Sequence, residues 1–233
     1  MYYRSTLSAF GLIKFFDQEE HYLNFLNGKS LFRTPHYYRK CEGKGRGDSR
    51  ESCVLYWDKN ISDQKPTISM LGNSSISYEN YNDFESILIH PAIEQHDAYM
   101  QSWSIIGPHN GFENSLERMQ EEFGPYWVIL PANNISQYAQ LIEKHSGNKA
   151  YYGAIQYSDN PMEGSLTVKD SEYSYQKEVR FFTGNCSKTE IDSKFFKLPK
   201  LNKLLLNALT LKLELPDDRK ICCVVGQKGI VTA

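Results

Sequence analysis

Tyr173-Ser-Tyr-Gln-Lys-Glu-Val-Arg-Phe-Phe182 is the stretch on which the reading of this chain turns. Tyr173, Tyr175, Val179, Phe181 and Phe182 are strong strand formers and the run closes at Gly184, so the whole segment is expected to be a β-strand. Side chains alternate faces along a strand, which puts Gln176, Glu178 and Arg180 on one side. An amide, a carboxylate and a guanidinium on one face of an internal strand are costly unless they pair or line a solvent-filled space. Two readings are open here. One is a row of cross-strand ion pairs that holds the sheet. The other is a catalytic carboxylate held between an amide and an arginine.

The expected neighbour of this strand is Ala98-Tyr-Met-Gln-Ser-Trp-Ser-Ile-Ile106. Its alternation places Tyr99, Gln101, Trp103 and Ile105 on one face and Ser102, Ser104 and Ile106 on the other. Paired serines on a strand face permit close packing or line a pocket. Nearer the start, Leu12–Phe16 reads as a strand, followed by a helix with Asp17 as its cap and Tyr22, Leu23, Phe25 and Leu26 on its apolar face. Asn27-Gly28 closes that helix with Gly28 left-handed. Ser30–Arg33 is a second strand, stopped by Thr34-Pro35.

Between Tyr37 and Glu51 lie three alternating glycines (Gly43, Gly45, Gly47), five basic residues and three acids. Backbone amides of such a turn can form an anion-binding nest, although no Gly-Lys-Ser/Thr closes it as a Walker loop. The alternatives are a solvated loop and the rim of the cleft that holds Glu178. Asp48 and Glu51 have the spacing that opens a helix. Ser52–Trp57 reads as a strand, residues 58–80 as hairpins or a loop with short strands, and residues 83–89 as either strand or helix. Downstream, helices are expected over 113–123 and 134–145, with a short one at 201–206. Strands are expected over 126–130, 151–157, 209–215, 220–225 and 229–232, the last two around a Gly226–Gly229 hairpin turn. Residues 1–233 thus read as a single α+β domain of mostly antiparallel sheet with three or four helices.

Composition narrows the function classes. A net charge of −2 over 233 residues argues against a protein that coats duplex nucleic acid. Sixteen tyrosines and twelve phenylalanines suit half-wet strands and pocket walls. Five cysteines without a C-x-x-C pair suggest reduced thiols. The first residues lack the build of a signal peptide, and no run reaches membrane-span length, so a cytoplasmic protein without a membrane partner is expected. No His-x-x-x-His pair points to a metal, and no histidine has a local Ser or Cys partner for a hydrolase.

The order of these pieces resembles an uncharacterised domain family of bacteria and phages. The resemblance rests on Ile13-Lys-Phe-Phe16, Gly28-Lys-Ser-Leu-Phe32, Tyr38-Arg39, Arg46-Gly-Asp-Ser-Arg-Glu51, Trp103-Ser104, Tyr175-Gln-Lys-Glu-Val-Arg180 and the closing Ile221 to Gly226 strand. It implies a setting in phage–bacteria conflict. A second resemblance is to ADP-ribosyltransferases of the Arg/Ser-x-Ser/Gln-x-Glu class, through Arg4, Ser102-Trp-Ser104 and Gln176-Lys-Glu178. It implies that fold and an enzyme, a transferase or glycohydrolase, that consumes NAD as substrate. Glu178 would stabilise the oxocarbenium-like ribose, Gln176 would orient an acceptor, protein or nucleic acid, and Ser102 and Ser104 would fix the ribose and Glu178. Arg39 or Arg46, with Lys14 as a further phosphate binder, would hold the pyrophosphate, and Tyr38 would stack on a base. Asp48, Glu51 and Arg180 complete the expected substrate contacts. Two alternatives stand beside this reading. One is a non-enzymatic binding or regulatory module of a defence or counter-defence system, with Glu178–Arg180 a structural pair. The other is a nuclease assembled from Asp48, Glu51, Glu178 and Lys177.

Overall fold

Alternation of apolar residues builds the central sheet, and helices with one apolar face cover it. The computed structural model of this chain describes residues 10–41, 47–53, 55–60, 85–90, 97–107, 112–160, 163–206, 210–214, 221–226 and 229–231. The first half runs β1 (Gly11–Phe16), α1 (Glu19–Leu26), β2 (Lys29–Phe32), α2 (Pro35–Lys40), β3 (Leu55–Asp58), β4 (Ser86–Ile89) and β5 (Asp97–Ile106). It continues through α3 (Phe112–Phe123), β6 (Tyr126–Pro131), α4 (Ile135–Ser146), β7 (Ala150–Ala154), β8 (Gln156–Ser158) and β9 (Val168–Asp170). The chain then forms β10 (Glu178–Cys186), β11 (Lys194–Lys197), β12 (Thr210–Glu214), β13 (Ile221–Gly226) and β14 (Gly229–Val231). The fold is α+β, with mostly antiparallel sheets. No helix among the described residues is long and apolar enough to cross a membrane.

The main sheet has the order β6-β1-β5-β10-β7, antiparallel at every junction. On one face Leu12, Phe16, Trp103, Val128, Val179 and Phe181 pack against Tyr22 and Phe25 of α1 and Tyr138 and Ile142 of α4. On the other, Ile13, Phe15, Trp127 and Ile129 pack against Leu116 and Met119 of α3. Each large apolar side chain buried in this way contributes about 1.5–3 kcal/mol. Gln101, buried in the first face, is satisfied by donating to Ser30 Oγ and the Leu31 carbonyl, both at 2.9 Å, and by accepting from Trp103 Nε1 at 3.0 Å.

The sheet forks, and the fork positions everything that follows. β1 pairs with β6 along its whole length but with β5 only from Gly11↔Ile106 to Ile13↔Ser104. Past that point Lys14–Phe16 leave β5. Their place beside β5 is taken by Arg33, just after β2, whose backbone exchanges hydrogen bonds of 3.0 and 2.8 Å with Met100.

Several expectations are corrected. Tyr173 to Gln176 are not strand: Ser171–Gln176 is a 3₁₀ helix, capped by Asp170 accepting from the Glu172 N–H at 3.0 Å. Lys177 then turns left-handed (φ 43°, ψ 50°) and the strand begins at Glu178. The β-propensity of the tyrosines is overridden because their hydroxyls are used elsewhere, Tyr173 donating to the Gly47 carbonyl and Tyr175 to Glu122. Asp17 does not cap α1; Gln18 precedes the helix without a side-chain bond, and Asp17 sits 3.2 Å from His21 Nδ1. Thr34-Pro35 starts a helix as well as ending a strand, since Thr34 Oγ1 accepts from the Tyr37 N–H at 3.1 Å and Pro35 occupies the first turn. The expected 151–157 strand divides at Ile155 into β7 and β8, and β8 pairs with β9 in parallel. Asp48–Glu51 closes a turn rather than opening a helix. Residues 86–89 resolve as strand, residues 201–203 as a 3₁₀ turn, and β11 was not anticipated. The hairpins expected at 67–78 lie outside the described residues.

Two glycines are required by geometry. Gly28, expected left-handed, has φ 87°, and a Cβ there would lie 2.5 Å from the Leu198 carbonyl oxygen. Gly124, which follows α3, has φ 110°, and its Cβ would meet Asp17 Cα and the Phe16 carbonyl oxygen, both at 2.3 Å. Both contacts are backbone atoms that cannot rotate away. Gly124→Ala is therefore expected to lose about 2 kcal/mol or more in urea unfolding. A midpoint unchanged from wild type would show that the α3–β6 turn relaxes freely.

Candidate functional site

The fork opens a cavity of about 420 Å³ between its prongs. Lys14 and Phe16 line it from β1, Arg33 from the other prong, and Ser102, Trp103, Glu178 and Arg180 from the sheet between. Where β1 departs, the Ser102 carbonyl accepts from Lys14 Nζ at 2.9 Å. A side chain thus replaces a missing ladder bond.

The floor follows from register. Glu178 lies opposite Ser104 and Arg180 opposite Ser102. The Ser102 hydroxyl donates to Glu178 Oε1 at 2.5 Å, and Arg180 Nε donates to the same oxygen at 2.6 Å. Lys169 Nζ reaches Glu178 Oε2 at 3.4 Å and Gln176 Oε1 at 3.0 Å. The Glu178 N–H donates to the Tyr157 hydroxyl at 2.8 Å. The far side of the Arg180 guanidinium grips Glu51 in a fork, Nη1 to Oε1 at 2.5 Å and Nη2 to Oε2 at 2.8 Å, and Nη1 also donates to the Leu166 carbonyl. Arg180 is 1% exposed, Glu178 4% and Glu51 3%, so two acids and two bases form a buried, neutral quartet.

Glu51 reaches this point because its turn is built locally. Asp48 Oδ1 accepts from the Arg50 N–H at 2.9 Å, and the Glu51 N–H donates to the Asp48 carbonyl at 3.0 Å. Ser52 then adopts φ 60°, a left-handed turn that redirects the chain. The two carboxyls on Arg180 differ in character. Burial would raise Glu178, but Arg180, Lys169 and the Ser102 hydroxyl outweigh it and hold the group far below the usual carboxylate range. For Glu51, burial wins over the pull of Arg180 and pushes the carboxyl up. Burial likewise raises the Tyr38 hydroxyl.

The structure gathers some of the expected residues and separates others. Lys14, Tyr38, Glu51, Ser102, Ser104, Gln176, Glu178 and Arg180 all line the cavity. Gln176 arrives from the 3₁₀ helix rather than by strand alternation, with its Nε2 on the Tyr175 hydroxyl at 3.1 Å. The Ser104 hydroxyl points to the Met119 sulfur at 3.0 Å, not to Glu178. Arg39 does not line the cavity. Its guanidinium donates to the Glu51 and Lys188 carbonyls at 2.8 and 2.6 Å and so staples α2 to two loops. Asp48 is buried behind the turn, lining a smaller recess with Arg50 and Asp170. Arg46 and Arg4 lie outside the described residues. The lysine on the Glu178 carboxylate is Lys169, not Lys177. Among the described residues no group of three His, Cys, Asp or Glu side chains could hold a metal ion.

Lys169, Arg33 and Tyr157 were missed in the sequence. Val168-Lys-Asp170 carries no motif, and Tyr157 reads as an ordinary strand tyrosine. Arg33 alone had a signal, as a charge at the end of an apolar strand. No family model, no curated protein and no solved structure matches this chain.

Proposed function

We propose that the fork is an active site for cleavage of an N-glycosidic bond, with NAD as substrate, in an ADP-ribosyltransferase-like or NAD-glycohydrolase reaction. One observation carries this reading: an ionised carboxylate, Glu178, sits on the floor of a cavity, with a serine hydroxyl and two cations fixing its orientation. A carboxylate already fixed in place meets a developing positive charge without reorganising. In the reaction, the C1′–N bond to nicotinamide breaks and its electron pair leaves with the ring nitrogen. The ribosyl cation that remains is stabilised by Glu178. An oxygen nucleophile, from water or an acceptor, then forms the new C1′–O bond and loses its proton. Ser102 orients Glu178, and Gln176, whose carbonyl accepts from Lys169, has the role of orienting the acceptor. Trp103, Phe16 and Tyr38 supply apolar walls for a base.

A second reading is favoured by the completeness of the quartet. Both Glu178 oxygens are already engaged, which suits a binding or regulatory module in a defence setting whose charges only hold the fork. The two readings separate in one assay. Purified protein is incubated with NAD, and free nicotinamide is followed by chromatography. Release above the buffer blank, proportional to protein, supports the enzyme. NAD binding without release over many hours supports the module.

A further inference from the structure

Two cations that line the cavity, Lys29 and Arg33, are held by aromatic rings rather than by acids. Arg50, Lys169 and Arg180 each sit on a carboxylate. Arg50 and Lys169 also lie over rings, 4.1 Å from that of Tyr56 and 4.4 Å from that of Tyr173, whereas among the described residues Lys29 and Arg33 have the ring without the carboxylate. The Arg33 guanidinium stacks 3.7 Å from the Tyr37 ring centroid, with one further bond, to Ser193 Oγ at 3.2 Å. Lys29 Nζ lies 4.6 Å from the centroid of Phe195, and that ring is 57% exposed at the cavity mouth. Neither cation has a carboxylate partner among the described residues. Across the fork Lys14 Nζ donates to the Ser102 carbonyl and lies about 6 Å from the Phe16 and Trp103 rings.

A cation held over a ring keeps its charge available to an anion, because the ring satisfies its apolar side without neutralising it. Arg33 is also held in place by its backbone bridge to Met100, two residues from Ser102. We infer that Arg33 and Lys29 form a pyrophosphate subsite, and that Phe195 is the stacking platform for a base beyond it. The ligand is therefore a nucleoside diphosphate or a molecule containing one, entering with its phosphates at the mouth and its far end toward Glu178. This deepens the reading above and moves the phosphate role from Arg39 to Arg33.

The test uses ADP and adenosine as probes, measured by titration calorimetry at low and raised salt. ADP should bind at least tenfold more tightly than adenosine, and only ADP should weaken with salt. Arg33→Met keeps the stem on Tyr37 and removes the charge. It should weaken ADP roughly ten- to a hundredfold and leave adenosine unchanged. Lys29→Met, at an exposed position, should act in the same direction and guards against a folding defect in the first variant. Equal affinity for ADP and adenosine, or ADP affinity unmoved in both variants, overturns the subsite. ADP binding that depends on Arg33 without any nicotinamide release upholds the subsite and overturns the enzyme. NAD turnover with KM unchanged in both variants does the reverse.

Discussion

Arg180→Met is expected to lower the unfolding free energy by about 3–5 kcal/mol, the largest effect of any single change at the site. Among the described residues the guanidinium is the only group that bonds both Glu51 and Glu178, and all three are nearly fully buried. Removing it leaves two carboxylates in a low-dielectric space with Lys169 as the remaining cation on Glu178. For a chain of this length the loss corresponds to a fall in Tm of roughly 10 °C. A second change, Glu51→Gln in the Arg180→Met background, should recover part of it, since it removes one of the stranded charges. A Tm within about 2 °C of wild type for Arg180→Met would mean that water reaches the quartet and that the ion pairs contribute little.

Glu178→Gln is the second large effect. It should reduce nicotinamide release by about a hundredfold to a thousandfold or more, because the amide cannot balance charge developing at C1′. The same change also costs stability, since Lys169 and part of Arg180 lose their counter-charge. Stability alone therefore does not separate a catalytic glutamate from a structural one. Turnover per folded molecule, measured well below the Tm of the variant, does. Unchanged turnover on that basis would reject the catalytic role, and retained ADP binding would show that the cavity survives.

The pH dependence of the same variant has a definite sign. The folded state holds Glu178 below its unfolded value, so its stabilising contribution is fully present above about pH 4.3 and fades as pH falls toward the folded value. Glu51 works in the opposite sense. Burial raises it, so its ionised form costs stability at neutral pH, and that cost is relieved as pH falls. The stability gap between wild type and Glu178→Gln should therefore narrow below about pH 4. A gap constant from pH 7 to pH 3 would contradict the depressed carboxyl.

Much of this was visible in the chain itself. Period-two alternation located the strand at 98–106 and the 178–182 part of the strand expected over 173–182, and it set Ser102 with Ser104, and Glu178 with Arg180, on one face of each, faces that the register places side by side. The left-handed Gly28, the helices at 113–123 and 134–145 and the hairpin around Gly226–Gly229 were equally legible. These features depend on a few neighbouring residues, whose φ/ψ preferences and spacing act over a turn or two. The start of the key strand was misread for the same reason. Tyr173 and Tyr175 have strand propensity, but their hydroxyl partners are Gly47 and Glu122, far away in the sequence.

By itself, then, the sequence determined which residues form the polar face of a sheet, including the pair Glu178 and Arg180 two positions apart on one strand. Tertiary structure alone decided what that face meets. It closed Glu51 onto Arg180 across 129 residues, brought Lys169 to Glu178, sent Arg39 away to backbone carbonyls and opened the fork in which the carboxylate lies. Spacing cannot specify such partners, because a desolvated charge is stabilised by whichever counter-charge the folded chain carries within a few ångströms of it, however distant in sequence.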